Sequence, residues 1–247
     1  MNLKIAHLYP EVLNLYGDRG NIRCLMQRLS WRGMDCSVDE ICLGDGRSLA
    51  DYDLFFIGGG QDFEQEVLLK DLHSGKGENI RAAIRDGRTF LTICGGYQLL
   101  GHYYEAADGT KCEFLGAVDL VTKASGTRMI NNYCYRLPAE LGGSTIVGFE
   151  NHSGKTYLGE GISPLGEVLK GSGNNGEDKT EGVHYKNVFG TYSHGPVLPK
   201  NPEFADLLLK TALERKYGTA ELAPLEDVQE RAAHDSVEEK IMKGIIN

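Results

Sequence analysis

A lone thiol stands where a short apolar run meets glycine, in Phe90-Leu91-Thr92-Ile93-Cys94-Gly95-Gly96-Tyr97-Gln98-Leu99-Leu100. A strand that ends at Cys94 and turns at once into a helix presents its sulfur at a sharp elbow. The two glycines then let a substrate carbonyl approach the backbone. Farther along, Val188-Phe189-Gly190-Thr191-Tyr192-Ser193-His194-Gly195-Pro196 reads as a strand running into a loop that carries a histidine. A thiol and an imidazole on two strand ends suit covalent acyl transfer: the base takes the thiol proton and the sulfur attacks the carbonyl. A free cysteine is more often a small core residue, but a core cysteine has no use for Gly95 and Gly96. His194 by itself reads as a loop or capping histidine. The N–H of Gly95 is a natural oxyanion donor, and the Gly58-Gly59-Gly60 turn can supply a second. The free N–H groups and positive end of the helix after Cys94 are expected to lower the thiol pKa.

The elements that must hold these groups follow a strand–helix–strand rhythm. Leu3 to Leu8 predicts a strand. Asn14 to Asn21 predicts a loop feeding a helix capped near Asp18 or Asn21, with Ile22, Leu25, Met26 and Leu29 as its apolar stripe and Gly33 as its stop. Met34 to Ile41 alternates as a strand, and Leu54-Phe55-Phe56-Ile57 is a continuous apolar run of the buried parallel type. Glu78 to Arg85 predicts a helix and Thr89 to Ile93 the next strand. This is the opening of a doubly wound, mostly parallel α/β sheet flanked by helices, whose site lies at the carboxyl ends of the strands. From Phe114 to Tyr192 the pattern predicts short strand-like pieces joined by polar turns. Pro202 to Lys216 predicts a helix with Phe204, Leu208 and Ala212 on one face. Leu225, Val228 and Ala232 suggest a last helix before a frayed tail. Gly171 to Lys179 reads as a mobile surface loop. Residues 1–220 are assigned to one domain and 221–247 to a C-terminal helical tail.

Composition removes several functions. A net charge of −9 over 247 residues argues against nucleic acid and anionic membrane surfaces. No apolar run reaches membrane-spanning length, and Met1 to Leu8 is too short and polar for a signal peptide, which places the chain in the cytoplasm. The six cysteines contain no C-x-x-C pair, so a zinc site is not expected. Apart from Cys94 they read as reduced structural thiols. Gly154-Lys155-Thr156 is no phosphate loop, because the required glycine position holds Phe149. The chain can activate a carbonyl but shows no means of using ATP.

Cys94-Gly95-Gly96-Tyr97-Gln98 resembles the C-x-G-x-Q elbow of class I glutamine amidotransferases, and Gly58-Gly59-Gly60-Gln61-Asp62 resembles their oxyanion-strand glycines. Gly190-Thr191-Tyr192-Ser193-His194-Gly195-Pro196 matches the G-T-Y-x-H-G block of the cobyric-acid-synthase-like branch. Leu15-Tyr16-Gly17-Asp18-Arg19-Gly20-Asn21 and Gly148-Phe149-Glu150-Asn151-His152-Ser153-Gly154 resemble the GatD family of glutaminase subunits in lipid II isoglutaminyl synthases. The resemblance spans positions 3 to 200. It implies glutamine hydrolysis through a cysteinyl thioester. The released ammonia would pass to a Mur-ligase-like partner of the MurT type, which amidates the D-glutamate α-carboxyl of lipid II.

By motif, Cys94 is the nucleophile, His194 the base and later the acid, Gly60 and Gly95 the oxyanion donors. Gln98 lies near the substrate, and Arg128, in Gly126-Thr127-Arg128, is the glutamine-gating arginine. No cofactor or metal is implied for this chain; ATP and Mg²⁺ belong to the partner. Two departures stand out. Thr92 replaces a common glycine. Pro196 occupies the place of the carboxylate that usually follows the histidine by two residues. No spacing argument puts Glu150 or Asp18 beside His194, so an acidic residue from the partner is expected to complete the triad. The alternatives are an amidotransferase subunit for another ATP-dependent synthetase, of the cobyrinate type, or a non-catalytic interaction subunit of the same fold.

Overall fold

A computed structural model describes residues 1–60 and 68–246. Gln61 and Asp62 of the second glycine block lie outside the described residues.

The first half builds the expected sheet. Strands β1 (Asn2–Leu8), β2 (Asp35–Ile41), β3 (Leu54–Ile57) and β4 (Thr89–Ile93) pair in parallel, in the order β4-β3-β1-β2. Every residue of β3 and β4 is buried, which is why both are unbroken apolar runs. Strand β2 lies at the edge and alternates between exposed and sheltered positions. Helix α1 (Arg19–Trp31) links β1 to β2, and α2 (Gly77–Arg85) precedes β4. A single turn, α3 (Gly95–Gln98), follows β4.

The middle of the chain departs from the expected short pieces. Two long strands, β7 (Leu120–Arg136) and β8 (Thr145–Leu158), form an antiparallel ribbon. Around it gather β5 (Tyr103–Glu105), β6 (Lys111–Glu113), β9 (Gly166–Lys170) and β10 (Thr180–Glu181), in a second six-stranded sheet. Only the β5–β7 pair in it is parallel. Polar residues and Gly126 interrupt the alternation of β7, which disguises one strand as several. The register shifts between Ala124 and Met129, so Ser125 to Arg128 sit opposite Ser153 alone. That bulge pushes Arg128 out of the ladder.

The chain then returns to the first sheet. β12 (Val188–Thr191) adds in parallel beside β4, and β11 (Val183–Tyr185) caps the edge antiparallel. β4 and β12 are therefore neighbours, and their carboxyl ends carry Cys94 and, three residues past Thr191, His194. Helix α4 (Pro202–Tyr217) buries Phe204, Leu208 and Ala212, as its stripe requires. Helix α5 (Val228–Met242) does not use the predicted face. Val228 is 70% exposed and Ala232 is exposed, while His234 and Ile241 turn inward. Ile241 joins Cys134 and Val147 in a small apolar cluster against the second sheet, and Ile246 packs there too, so the chain as far as Ile246 is not a frayed tail.

The segment that reads as a mobile loop is pinned instead. Asn174 and Asn175 are buried; Asn174 bonds Thr180 and the Gly182 backbone, and Asn175 bonds the Thr156 carbonyl. The Glu150 carboxylate accepts the N–H groups of Ser172 and Gly173. Short polar side chains that satisfy a turn's backbone look the same in sequence as those of a solvated loop.

Candidate active site

Cys94 occupies the junction of β4 and α3 with φ 48° and ψ −110°. A non-glycine residue there carries strain of about 1–3 kcal/mol, held in place by its surroundings. Its N–H donates to the Thr191 carbonyl at 2.9 Å, and its carbonyl accepts the Gln98 N–H. Gly96 cannot be replaced: an added Cβ would lie 2.7 Å from the Gly58 carbonyl and 2.6 Å from Ile57. The elbow thus packs directly on the end of β3, with the Gly58–Gly60 turn beside it. The helical segment after Cys94 is one turn long, too short for the dipole expected of a full helix. What it offers is the free N–H groups of any first turn.

His194 is fully buried. Its backbone N–H donates to Phe149 of β8 at 2.8 Å, so the second sheet fixes the loop that carries it. The imidazole lies between Tyr16, whose ring meets it edge-on at 4.8 Å between centroids, and Gly59. A Cβ on Gly59 would stand 2.5 Å from His194 Cε1. Burial alone opposes charging of this imidazole. The Cys94 sulfur and then Asp18 outweigh it and raise the pKa to about 10. The charged form of the imidazole is thereby favoured beside the sulfur.

The fold also brings a carboxylate that the spacing did not place. Asp18 Oδ2 is 3.7 Å from His194 Nδ1, with both side chains buried. That distance is an ion-pair separation, longer than a hydrogen bond. Oδ2 is engaged by the Gly59 N–H at 2.8 Å, and both ring nitrogens of His194 lack hydrogen-bond partners among the described residues. Asp18 precedes α1 without capping it; the Arg19 N–H is met by Asn14 instead. Asn21 does not cap α1 either, since its Oδ1 accepts the Leu198 N–H just past the histidine loop. Glu150 is committed elsewhere, to Ser172, Gly173 and Asn131.

A cavity of about 470 Å³ opens in front of the thiol. Gly60, Cys94, Gln98 and Arg128 all line it, as do Tyr16 and Asn151. Four of the six residues singled out by motif thus meet at one cavity, whereas Gly95 and His194 are not part of its lining. Gln98 is buried and donates to the Tyr192 hydroxyl at 3.0 Å. Arg128 Nε donates to Asn151 Oδ1 at 2.6 Å. His152, Ser153 and Gly154 of β8 complete the wall; His152 stacks on Tyr192 at 3.6 Å and bonds the Gly154 carbonyl. Tyr16, Asn151 and His152 have no role that residue type and spacing alone assign. The signal was present in the two blocks containing them, which had no chemistry of their own in one dimension.

Glu181 anchors the rear of the site. Its Oε1 accepts from Thr191 Oγ1 at 2.6 Å, the Tyr192 N–H at 2.8 Å and the Tyr133 hydroxyl at 2.9 Å. Burial, only partly offset by those donors, raises its pKa to about 7. Tyr133 also bonds Ser193. One buried carboxyl group thus gathers the three residues before His194, including the one whose carbonyl holds Cys94.

Residues 4–202 match the family model described as the CobB/CobQ-like glutamine amidotransferase domain. The chain is 48% identical over 214 residues to the lipid II isoglutaminyl synthase (glutamine-hydrolyzing) subunit GatD of Staphylococcus aureus, covering 87% of this chain and 86% of that one. It is 43% identical over 240 residues to the GatD subunit of Streptococcus pneumoniae, covering 97% and 88%. A cobyric acid synthase of Pelotomaculum thermopropionicum is 33% identical over 163 residues, or 61% of this chain and 31% of that one. Among solved structures, PurLQS from Thermotoga maritima superposes with a TM-score of 0.55 at 17% identity, covering 87% of this chain and 99% of that one. This last likeness concerns the fold alone.

Proposed function

The chain belongs to the CobB/CobQ-like glutamine amidotransferase family, and from that premise we propose that it is the glutaminase subunit of a lipid II isoglutaminyl synthase. The observation that carries this reading is Cys94, held in a strained elbow at the wall of a cavity, with the buried His194 imidazole behind it. The likeness over most of the chain to two GatD subunits supplies the acceptor.

In this reading glutamine enters with its γ-amide toward the sulfur. The Cys94 thiolate adds to the amide carbon, and the Gly60 and Gly95 N–H groups bind the oxyanion that forms. His194 gives its proton to the departing nitrogen, and ammonia leaves a cysteinyl thioester. Water then attacks, with the now neutral His194 taking its proton. Glutamate is released and the thiolate restored. The ammonia passes to a Mur-ligase-like partner, which holds ATP and Mg²⁺ and amidates the D-glutamate α-carboxyl of lipid II. An acidic residue of that partner completes the hydrogen bonding of His194. No helix among the described residues is long and apolar enough to cross a membrane; the reaction on lipid II fits the cytoplasmic face.

The test is label transfer. With glutamine carrying ¹⁵N in its amide, the complex should place ¹⁵N in the isoglutamine amide of lipid II. Label released as ammonia with lipid II left unamidated would remove the acceptor assignment. Within this reading Arg128 holds the substrate carboxylate. Arg128→Ala is expected to lower kcat/KM for glutamine roughly 10- to 100-fold, the range for a lost charge-assisted contact, while iodoacetamide still alkylates Cys94. Arg128→Lys should recover only part of the loss, since an ammonium lacks the guanidinium fork. Unchanged glutamine kinetics in Arg128→Ala would leave Arg128 a surface role only.

A further inference from the structure

Two segments singled out by sequence, Leu15–Asn21 and Gly148–Gly154, meet across the mouth of the cavity. Asn151 Nδ2 donates to the Tyr16 hydroxyl at 2.5 Å, and Asn151 Oδ1 accepts from Arg128 Nε at 2.6 Å. All three side chains line the cavity. The Tyr16 ring packs edge-on against both Phe149, at 5.7 Å, and His194, at 4.8 Å. The Tyr16 backbone is left-handed, φ 54° and ψ 24°, a conformation a bulky residue adopts only when its surroundings require it. Yet Tyr16 is 44% exposed. The strain therefore does not serve core packing; it lays one aromatic ring across the catalytic imidazole with its hydroxyl toward Asn151.

The consequence falls on Arg128, the only Lys or Arg in the wall of this cavity among the described residues. It projects from a bulge, where the strand ladder does not hold it. With Nε tied to Asn151, the guanidinium loses rotational freedom, and its two terminal nitrogens remain for a carboxylate. An arginine fixed in this way binds one anionic group at one place; a loose one binds weakly and without selectivity.

We propose that Tyr16 and Asn151 are positioning residues that make the site selective for the α-carboxylate end of the substrate, by holding Arg128 in one orientation. The inference rests on the glutaminase reading above and adds to it which residues set substrate choice. Tyr16→Phe is the sharpest variant, because it keeps the ring over His194 and removes only the hydroxyl. The complex with the synthetase is assayed on glutamine and on 4-aminobutanamide, which has the same γ-amide and amine chain but no α-carboxylate. Tyr16→Phe is expected to raise KM for glutamine about five- to tenfold, the scale of one lost hydrogen bond to an ordered charged group, with kcat within about twofold. Its kcat/KM for 4-aminobutanamide should stay at the wild-type value. Asn151→Ala should act the same way, and the double variant should lose less than the product of the two, since both break one relay. An unchanged KM in Tyr16→Phe overturns the inference, and so does an equal loss on both substrates. A wild-type complex that hydrolyses neither amide overturns the glutaminase reading and this inference with it.

Discussion

Cys94→Ala is expected to lower glutamine-dependent amidation by the complex by about 10³-fold or more, while amidation driven by added ammonium continues. The first half follows from the elbow: no other described residue of the cavity wall is a comparable nucleophile, and the N–H groups around it can bind an oxyanion only if one forms. The second half follows from the division of labour, because ammonia supplied from solution bypasses the thioester. The variant should also move His194. The sulfur is the largest of the influences that raise its pKa to about 10. Without it burial weighs more heavily, and the imidazole should titrate lower, a shift readable by NMR. Normal glutamine turnover in Cys94→Ala would end the nucleophile assignment. A His194 pKa that stays put would mean that Asp18 alone sustains the charge.

How much of this was legible in the sequence depended on whether a residue's role was local. Cys94 was, since strand, thiol and paired glycines are consecutive. β3 and β4 were, because burial on both faces leaves no polar position to confuse the pattern. The second sheet was not. β7 carries its site residue on a bulge, and the bulge breaks the two-residue period that would identify the strand. The last helix misled for a related reason: its stripe suggested Val228 and Ala232, but the tail is tied by polar contacts. The buried Arg28 clasps Asp206 and Asp227 at its entrance, and His234 bonds Thr145 and the Lys200 carbonyl. Hydrophobic periodicity is blind to such ties. Asp18 and Tyr16 lay in a segment whose composition said only loop. Their value appears when the loop folds over the ends of β3 and β12, with Gly59 leaving room for the imidazole between them.

His194→Ala is expected to cost about 10²- to 10⁴-fold in glutamine hydrolysis, the usual range for a lost acid–base group, and the source of its carboxylate decides the remaining arms. The raised pKa fixes the sign of the pH dependence. The charged pair contributes its full stability below the ordinary imidazole value of 6.5, and that contribution is lost as pH rises through about 10. Rate measurements near neutral pH therefore start from an imidazolium. Its Nδ1 has no hydrogen bond among the described residues, and Asp18 holds the Gly59 N–H instead. An imidazole with a nearby charge but no acceptor on Nδ1 is poorly oriented for passing a proton twice. Docking a synthetase that offers an acidic residue there should raise glutamine hydrolysis at least tenfold, about 1.4 kcal/mol of barrier, so that ammonia is made fastest when a consumer is present. Mutating that partner residue to its amide should remove the stimulation and leave the basal rate of the isolated chain unchanged. Asp18→Asn should instead reduce the isolated chain and the complex by the same modest factor, about tenfold or less, because it weakens the imidazolium in both. If Asp18→Asn is as damaging as His194→Ala, and the isolated chain already runs at the rate of the complex, then Asp18 is the third member of the triad. Its 3.7 Å gap would then have to close when glutamine binds, and the partner would supply no part of the chemistry.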